Sequence, residues 1–225
     1  MALGWIIHPL MRCLNMNAAA LFSGGKDSLY SVYLVEKQGV QVDHLISLIP
    51  SLPWPSPHSE NIVALKLLAK SMGKNMIIVD CHKKEALTEA LKSLNIDALV
   101  AGDIDVEDHV IAFDAVCKNA NLQLLEPIYG RDTSELFDEI FSLGFKALIT
   151  GVNLEYLSEK WLGYVISEET GADFLSKIGD IDPLGENGEF HTLVLECPLF
   201  SKTFKVASIE KKAGQGMAYL NVSID

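Results

Sequence analysis

Short apolar runs alternate with amphipathic segments of helical length along the first half of the chain. The apolar runs predict strands at residues 17–22, 40–49, 76–80, 98–101 and 122–125. The segments between them predict helices at 28–37, 60–72, 84–94 and 107–119. Strands that alternate with helices pair in parallel through right-handed crossovers. We therefore predict an α/β fold with a doubly wound, mainly parallel five-stranded sheet, similar to a Rossmann domain.

The pattern changes after Pro127. It predicts a helix at 132–143, a strand at 147–152, a short helix at 172–178, a polar Gly-rich segment at 179–189 and a strand at 191–197. Two alternating runs, at 203–209 and 217–224, predict a hairpin whose connection is 211–216. We expect one domain over 17–127 and a second, smaller α/β domain over 128–225.

Residues 1–16 are apolar, but they do not have the features of a targeting segment. They lack a basic n-region, and Pro9 and Arg12 interrupt the run well before the roughly 20 residues that a membrane span needs. We interpret them as an N-terminal extension, and no membrane association is expected.

Composition and charge narrow the class of protein. Among 225 residues 49% are apolar and 21% are charged, which excludes a disordered or coiled-coil chain. Eighteen Lys and Arg against 30 Asp and Glu give a net charge of −12, which argues against nucleic acid as a main partner. The four cysteines form no CxxC pair, which favours a reducing compartment, and we expect a cytoplasmic location.

The sequence Ser-Gly-Gly-Lys-Asp-Ser at residues 23–28, here called the glycine loop, follows the first predicted strand and opens the first helix. Two glycines let the backbone curl so that its N–H groups point at the helix N-terminus, where an anion is stabilised. Lys26 adds a positive charge, and Asp27 is a candidate ligand for Mg²⁺ beside bound phosphates. The alternative interpretation is an ordinary Gly-Gly turn with a helix cap.

A second group of polar residues, Gly-Glu-Asn-Gly-Glu-Phe-His-Thr at 185–192, is here called the GEF motif. Two glycines bracket a turn with two carboxylates, and His191 and Thr192 follow at the start of a strand. Acid, base and hydrogen-bond donor groups on mobile backbone are typical of catalytic loops. A solvated acidic loop is the alternative.

Both stretches resemble the signatures of a known family. The glycine loop is similar to the SGGxDS PP-loop of the N-type ATP pyrophosphatases, and the GEF motif is similar to the GExGEFxT signature of the diphthine–ammonia ligase family. Further similarities are YGRD at 129–132 (against WGRD), LGFK at 143–146, WLG at 161–163 and PLF at 198–200. The resemblance implies an enzyme that uses ATP and Mg²⁺ to adenylate a carboxylate with release of pyrophosphate, and then amidates it with ammonium. The implied acceptor is diphthine on elongation factor 2.

The resemblance and the predicted strand ends together suggest roles for particular residues. Pyrophosphate binding is implied for Ser23, Gly24, Gly25, Lys26, Asp27 and Ser28, with Asp27 also on the metal. Catalysis is expected from Lys26, Asp27, Glu186, Glu189 and His191, with Glu189 leading on the acceptor and ammonia side. Substrate contacts are expected from His58, Asp103, Asp105, Arg131 and Thr192, although a helix cap explains one of the two aspartates equally well and Arg131 could simply pair with nearby acids.

Two segments depart from the family pattern. The chain has SPHS at 56–59 and GDIDVEDH at 102–109, where the diphthine ligases have a Tyr/Met-rich run with His-Thr and a Ser with a YQR-like run. A sister branch that amidates another small carboxylic acid is therefore an alternative, as is a non-catalytic ATP-binding module. A tRNA-modifying PP-loop enzyme is disfavoured by the negative charge.

No segment is left for a glutaminase, so ammonia is expected to be free or to come from a partner. A homodimer is a further expectation.

Overall fold

The computed structural model describes residues 16–50, 57–83 and 85–225. The predicted extension before residue 16, the loop at 51–56 and the side chain of His58 lie outside the described residues.

The first half of the described chain forms a parallel sheet of five strands in the order β3-β2-β1-β4-β5. The strands are β1 (Asn17–Leu21), β2 (Gln41–Ile49), β3 (Asn75–Asp80), β4 (Ala98–Val100) and β5 (Gln123–Leu125). The helices are α1 (Lys26–Lys37), α2 (Pro57–Glu60), α3 (Ile62–Ser71), α4 (Ala86–Lys92) and α5 (Glu107–Ala120). The doubly wound sheet predicted from the sequence is confirmed, and its order reverses between β1 and β4.

Successive alanines of β1 pack on opposite faces of this sheet. Ala18 and Ala20 belong to a hydrophobic cluster with α1 and α3, whereas Ala19 packs in a second cluster with α4 and α5. Both faces of the sheet are therefore covered, and loops at its edge carry the polar chemistry. Ligands on such sheets bind where the strand order reverses, at the carboxyl ends of the strands.

The second half of the described chain combines helices with an antiparallel sheet. Its elements are α6 (Thr133–Ser142), β6 (Lys146–Asn153), a 3₁₀ helix (Glu159–Trp161), β7 (Val165–Ile166), α7 (Glu168–Leu175), β8 (Phe190–Glu196), β9 (Val206–Gly214) and β10 (Met217–Ile224). Strand β6 pairs with β7, β8 and β10, and β10 pairs with β9. Parallel pairing is thus confined to the first sheet of the described residues.

Two predicted boundaries in the second half were wrong. The helix predicted at 172–178 begins at Glu168, because Ser167 and Thr170 form a capping box that starts it earlier. The predicted connection at 211–216 is mostly strand, and only Gln215 and Gly216, with φ of 54° and 77°, make the turn. The two lysines before it lie on β9, an edge strand whose side chains are mostly exposed, so their polarity does not mark a loop.

One hydrophobic cluster contains residues of both sheets, from Ala18 in β1 to Ile224 in β10. The junction between the halves is also hydrogen-bonded through Asn61, whose side chain is 2% exposed. Its Nδ2 donates to the carbonyls of Pro57 and Leu220, at 2.6 and 2.9 Å, and its Oδ1 accepts from the N–H of Val222 at 2.8 Å. The two halves therefore share one interior, and the domain boundary near Pro127 stays a prediction.

No helix among the described residues has the length and apolar character needed to cross a bilayer.

We predict that Asn61→Ala lowers the free energy of unfolding by about 2 to 4 kcal/mol, since buried backbone groups of both halves lose their partners. Urea denaturation followed by circular dichroism measures this. Asn119→Ala, at an exposed position of α5, is the control and should cost little. A loss in Asn61→Ala no larger than in the control would contradict the bridging role.

Candidate active site

The glycine loop lies between β1 and α1, at the point where the strand order reverses. Gly24 has φ of +73°, and a Cβ on it would lie 2.3 Å from Leu65 Cδ2, so this position requires glycine. Gly25 caps the helix with extended backbone, and the hydroxyl oxygens of Ser23 and Ser28 lie 3.1 Å apart beside it. The predicted strand-to-helix loop with two hydroxyls at a helix N-terminus is confirmed.

Gly102 brings the segment after β4 against the glycine loop. A Cβ on Gly102 would lie 3.1 Å from the carbonyl carbon and oxygen of Asp27 and from the Cα of Ser28. Because these are backbone atoms at the start of a helix, they cannot move aside as a flexible side chain would. The absence of a side chain at residue 102 therefore sets how closely the 103–106 segment approaches the loop.

Strand β8 of the second half is hydrogen-bonded to the same loop. Thr192 Oγ1 accepts the backbone N–H of Lys26 at 3.2 Å, and the N–H of Val194 donates to the carbonyl of Gly24 at 2.9 Å. Thr192 thereby satisfies one of the N–H groups that a helix N-terminus leaves unpaired. Its predicted substrate contact is untested, and the contact seen is with the glycine loop.

Lys26 is 2% exposed and joins both halves with its ammonium group. Nζ lies 2.9 Å from Asp27 Oδ2, donates to the carbonyl of Leu184 at 2.5 Å, and stands over the Phe190 ring at 5.2 Å from its centroid. The buried charge is thus balanced by one carboxylate, a carbonyl and an aromatic face. Leu184, which precedes the GEF motif, contributes only its backbone, so the sequence pattern could not indicate it.

Asp27 keeps one carboxylate oxygen without a partner. Oδ1 is buried and has no hydrogen-bond partner among the described residues. Burial raises the pKa of Asp27, and the neighbouring Lys26 opposes that rise. Among the described residues, no three His, Cys, Asp or Glu side chains are arranged to hold a metal ion.

Glu189 organises the loop that contains the GEF motif. It is 3% exposed, and its carboxylate accepts the N–H of Asn187 at 2.9 Å, Nδ2 of Asn187 at 3.1 Å and the N–H of Asp182 at 3.3 Å. Asp182 in turn accepts the N–H groups of Leu184 and Glu186. These contacts give Glu189 a structural role, and its leading part in the chemistry stays a prediction.

A cavity of about 500 Å³ lies between the loops after β4 and β5 and the GEF motif. Its lining residues are Ile104, Asp105, Val106, Gly130, Arg131, Asp132, Thr133, Asp182, Glu186 and Asn187. The cavity therefore brings together three of the predicted site residues, Asp105, Arg131 and Glu186. Burial and the negative charge of Asp27 raise the pKa of Glu186 to about 8, with Lys26 and the N–H of Ile104 opposing.

Other predicted site residues lie elsewhere. Asp103 is paired with His109, whose Nδ1 is 2.7 Å from Asp103 Oδ1. The His191 ring lies beside Gly151, where an added Cβ would be 3.3 Å from its Cδ2. Neither Asp103 nor His191 lines the cavity, and the side chain of His58 is outside the described part of the structure.

Glu126, which follows the carboxyl end of β5, was not among the predicted site residues. Its Oε1 is buried with no hydrogen-bond partner in the described residues, and burial together with Asp103 and Asp114 raises its pKa to about 7. A carboxylate directly after a predicted strand is the signal that could have identified it.

Comparison with known proteins gives matches over nearly all of the described chain. The model of the "Diphthamide synthase N-terminal domain" matches residues 16–124, and the model of the "Diphthamide synthase C-terminal domain" matches residues 132–224. The chain is 29% identical to a protein of Homo sapiens and 30% identical to one of Bos taurus, both named diphthine–ammonia ligase. Each of these matches covers 87% of this chain and 84% of the relative. A 27% identical relative in Schizosaccharomyces pombe has the same name, with 92% of this chain and 39% of that protein covered.

Among solved structures, the chain is similar to a U34-tRNA thiolase from Methanococcus maripaludis that carries a [4Fe-4S] cluster. The identity is 15%, the TM-score is 0.43 and 59% of each chain is covered, a level from which we draw no argument.

We predict that Glu126 makes stability depend on pH. Its pKa in the folded protein, about 7, lies above the ordinary 4.5, so the folded state holds the proton more tightly. The stabilisation is complete at low pH and is lost as pH rises to about 7, whereas Glu126→Gln keeps a neutral side chain throughout. The free energy of unfolding of the wild type should therefore fall relative to that of the variant over this range.

Urea denaturation at a series of pH values measures the difference. Glu107→Gln, at an exposed position in the first turn of α5, is the matched control. Parallel pH profiles for the wild type and Glu126→Gln would contradict the prediction.

Proposed function

The chain belongs to the diphthamide synthase family, and from this premise we propose that it is a diphthine–ammonia ligase that uses ATP to amidate a carboxylate. The observation that carries the proposal is that the GEF motif contacts the glycine loop and also lines a cavity. A nucleotide-binding loop alone would suit many activities. The docked motif adds a place for a second substrate next to the phosphates.

ATP binding is assigned to the glycine loop. The α1 N-terminus, the Ser23 and Ser28 hydroxyls and the close approach that Gly25 permits suit the phosphates. A Cβ on Gly25 would lie 3.2 Å from Ser23 Oγ and would fill this space. The Lys26 ammonium binds the Leu184 carbonyl in this structure. Its predicted contact with phosphate therefore requires that the ammonium exchange this carbonyl for a phosphate oxygen.

Magnesium fits the same place. The unpartnered Oδ1 of Asp27 is the kind of hard oxygen ligand that Mg²⁺ takes alongside phosphate oxygens and water. We assign the ion to Asp27 together with the phosphates of ATP, since one or two protein carboxylates are the usual number for a nucleotide-bound ion. Its chemistry would be to neutralise phosphate charge as pyrophosphate leaves.

The acceptor is assigned to the cavity. Its walls carry one guanidinium, from Arg131, and carboxylates that include the exposed Asp105. A substrate that bears both a carboxylate and a cationic group matches this lining better than a simple anion does. Diphthine has a trimethylammonium group and a carboxylate, so the lining supports it as the acceptor, with elongation factor 2 as the protein that presents it.

In the first step an acceptor carboxylate oxygen attacks the α-phosphorus of ATP, the bond to the bridging oxygen breaks, and pyrophosphate leaves. In the second step ammonia attacks the carbonyl carbon and AMP leaves with one of the original carboxyl oxygens. Ammonium must lose a proton before its nitrogen can attack. Glu186 lies on the cavity wall beside Asp27 and Lys26, and a carboxylate whose pKa is raised to about 8 is a better base for this proton than an ordinary one.

Features of the same cavity bear on two alternative functions. Amidation of another small carboxylic acid is favoured by the 102–109 segment, which departs from the pattern of the diphthine ligases and contributes Asp105 to the cavity. A non-catalytic ATP-binding module would not need a titratable group such as Glu186 between the loop and an open cavity. Free ammonium as the nitrogen source, a cytoplasmic location and a homodimer remain parts of the proposal.

The activity is tested by incubating the protein with ATP, Mg²⁺, ammonium and elongation factor 2 that carries diphthine. We expect AMP and pyrophosphate in equal amounts, and intact-protein mass spectrometry should record the small decrease that replacing a hydroxyl by an amino group gives. Formation of AMP without that decrease would point to another carboxylic acid. ADP and phosphate as products would contradict the adenylation chemistry.

We predict that Glu186→Gln slows amide formation by roughly 10²-fold at neutral pH, the lower range for loss of a general base. The defect should shrink as pH rises, because free ammonia then replaces ammonium, and it should shrink with hydroxylamine, which is already neutral. Acceptor-dependent exchange of pyrophosphate into ATP reports the first step and should stay close to wild type. Glu155→Gln, which neutralises an exposed carboxylate away from the cavity, is the control, and a pH-independent defect in Glu186→Gln would contradict the base role.

A further inference from the structure

Arg131 on the cavity wall is part of a hydrogen-bonded chain that reaches the helix of the glycine loop. Its Nη1 and Nη2 donate to Oε2 and Oε1 of Glu139 at 3.1 and 2.5 Å. The hydroxyl of Tyr30, in α1, donates to Glu139 Oε2 at 2.5 Å. Glu139 is in α6, so the three residues connect α1, the loop after β5 and the first helix of the second half.

The bonds within this chain are of the strong, charge-assisted kind. Burial and the bond to Glu139 raise the pKa of Tyr30 to about 12, so its phenol stays a donor. The bond from Arg131 lowers the pKa of Glu139, which stays a carboxylate. A two-pronged arginine–carboxylate pair fixes the plane of the guanidinium as well as its position.

The orientation of Arg131 leaves donors for a ligand. A guanidinium has five N–H groups; Glu139 accepts two of them and the Tyr30 hydroxyl oxygen accepts another, so two remain. The Arg131 side chain is 32% exposed and lines the cavity, and the neighbouring Gly130 is held by its N–H, which donates to the Ile104 carbonyl at 2.7 Å. A planar set of donors in a fixed direction is suited to a carboxylate.

Tyr30 connects the Arg131–Glu139 pair to the helix that begins at the glycine loop. It lies four residues after Lys26 on one continuous helix, which corresponds to a rise of about 6 Å from the glycine loop. The Tyr30 side chain is 2% exposed and packs edge-on against Phe145, so its hydroxyl has a fixed direction. The same rigid element thus positions the phosphates at its start and Arg131, through Glu139, one turn later.

We propose that Arg131 binds the acceptor carboxylate with the donors that Glu139 and Tyr30 leave free, and that Glu139 and Tyr30 are positioning residues that aim it toward the nucleotide. This inference rests on the proposed ligase function and names the group that holds its carboxylate substrate. A correctly held carboxylate near the α-phosphorus gains its rate from proximity and orientation.

The test measures KM for the acceptor and for ATP in four variants of the full chain: Arg131→Lys, Glu139→Gln, Tyr30→Phe and the double variant Arg131→Lys with Glu139→Gln. Arg131→Lys and Glu139→Gln should each raise the acceptor KM by roughly tenfold, with a smaller rise for Tyr30→Phe. The ATP KM should change less than about twofold. In the Arg131→Lys background the Glu139→Gln change should add little, because Glu139 acts through Arg131.

Matched controls are Tyr33→Phe, which removes a hydroxyl from the same helix, and Glu135→Gln, which neutralises an exposed carboxylate on α6. If the hydrogen bonds among Arg131, Glu139 and Tyr30 only hold α6 against α1, the variants will lower the melting temperature while the acceptor KM stays at the wild-type value. This outcome would overturn the inference. A rise confined to the ATP KM would overturn it too, since Arg131 would then bind a phosphate. Amide formation by the wild type tests the ligase function separately, and a wild type that forms no amide would remove the inference along with that function.

Discussion

The rest of the site depends on how the buried ammonium group of Lys26 is satisfied. A buried charge is tolerated only when partners satisfy it, and here the partners come from both halves of the described chain. Asp27 lies next to it in sequence, whereas the Leu184 carbonyl and the Phe190 ring belong to the second half. Two of its three partners belong to the second half, so these contacts hold the GEF motif against the glycine loop.

With the GEF motif docked on the glycine loop, the groups of the site differ in role according to their distance from that loop. Directly on the loop are groups that hold the two halves together, such as Thr192 on the Lys26 N–H, and groups that suit phosphates, such as Ser23 and Ser28. Further out, the cavity carries Arg131 and Glu186, which are less buried and have room for a substrate. Gly102 sets the spacing between these two zones, because any side chain there would push the β4 segment off the start of α1.

Local patterns predicted the elements and the glycine loop because their physical causes are local. Apolar alternation, a Gly-Gly turn and a helix start lie within a few residues of each other, as at Ser23 to Ser28. The roles of Glu189 and Lys26 depend on contacts that a motif does not contain: Glu189 accepts N–H groups of its own loop, and Lys26 binds a backbone carbonyl 158 residues away. Tyr30 and Glu139 were missed for the same reason, since 109 residues separate them.

The charges in the cavity bear on selectivity. In the proposed adenylation a carboxylate approaches a polyphosphate, so the acceptor needs a positive group of its own besides those that meet the phosphates. We assign this role to Arg131, whose pairing with Glu139 keeps the pair close to neutral, so an empty cavity does not hold an uncompensated cation. Asp105 and the other carboxylates on the walls then repel a ligand with a second negative group. A cationic group beside the reacting carboxylate would convert that repulsion into attraction, so we expect zwitterionic acceptors to be preferred over simple di-acids.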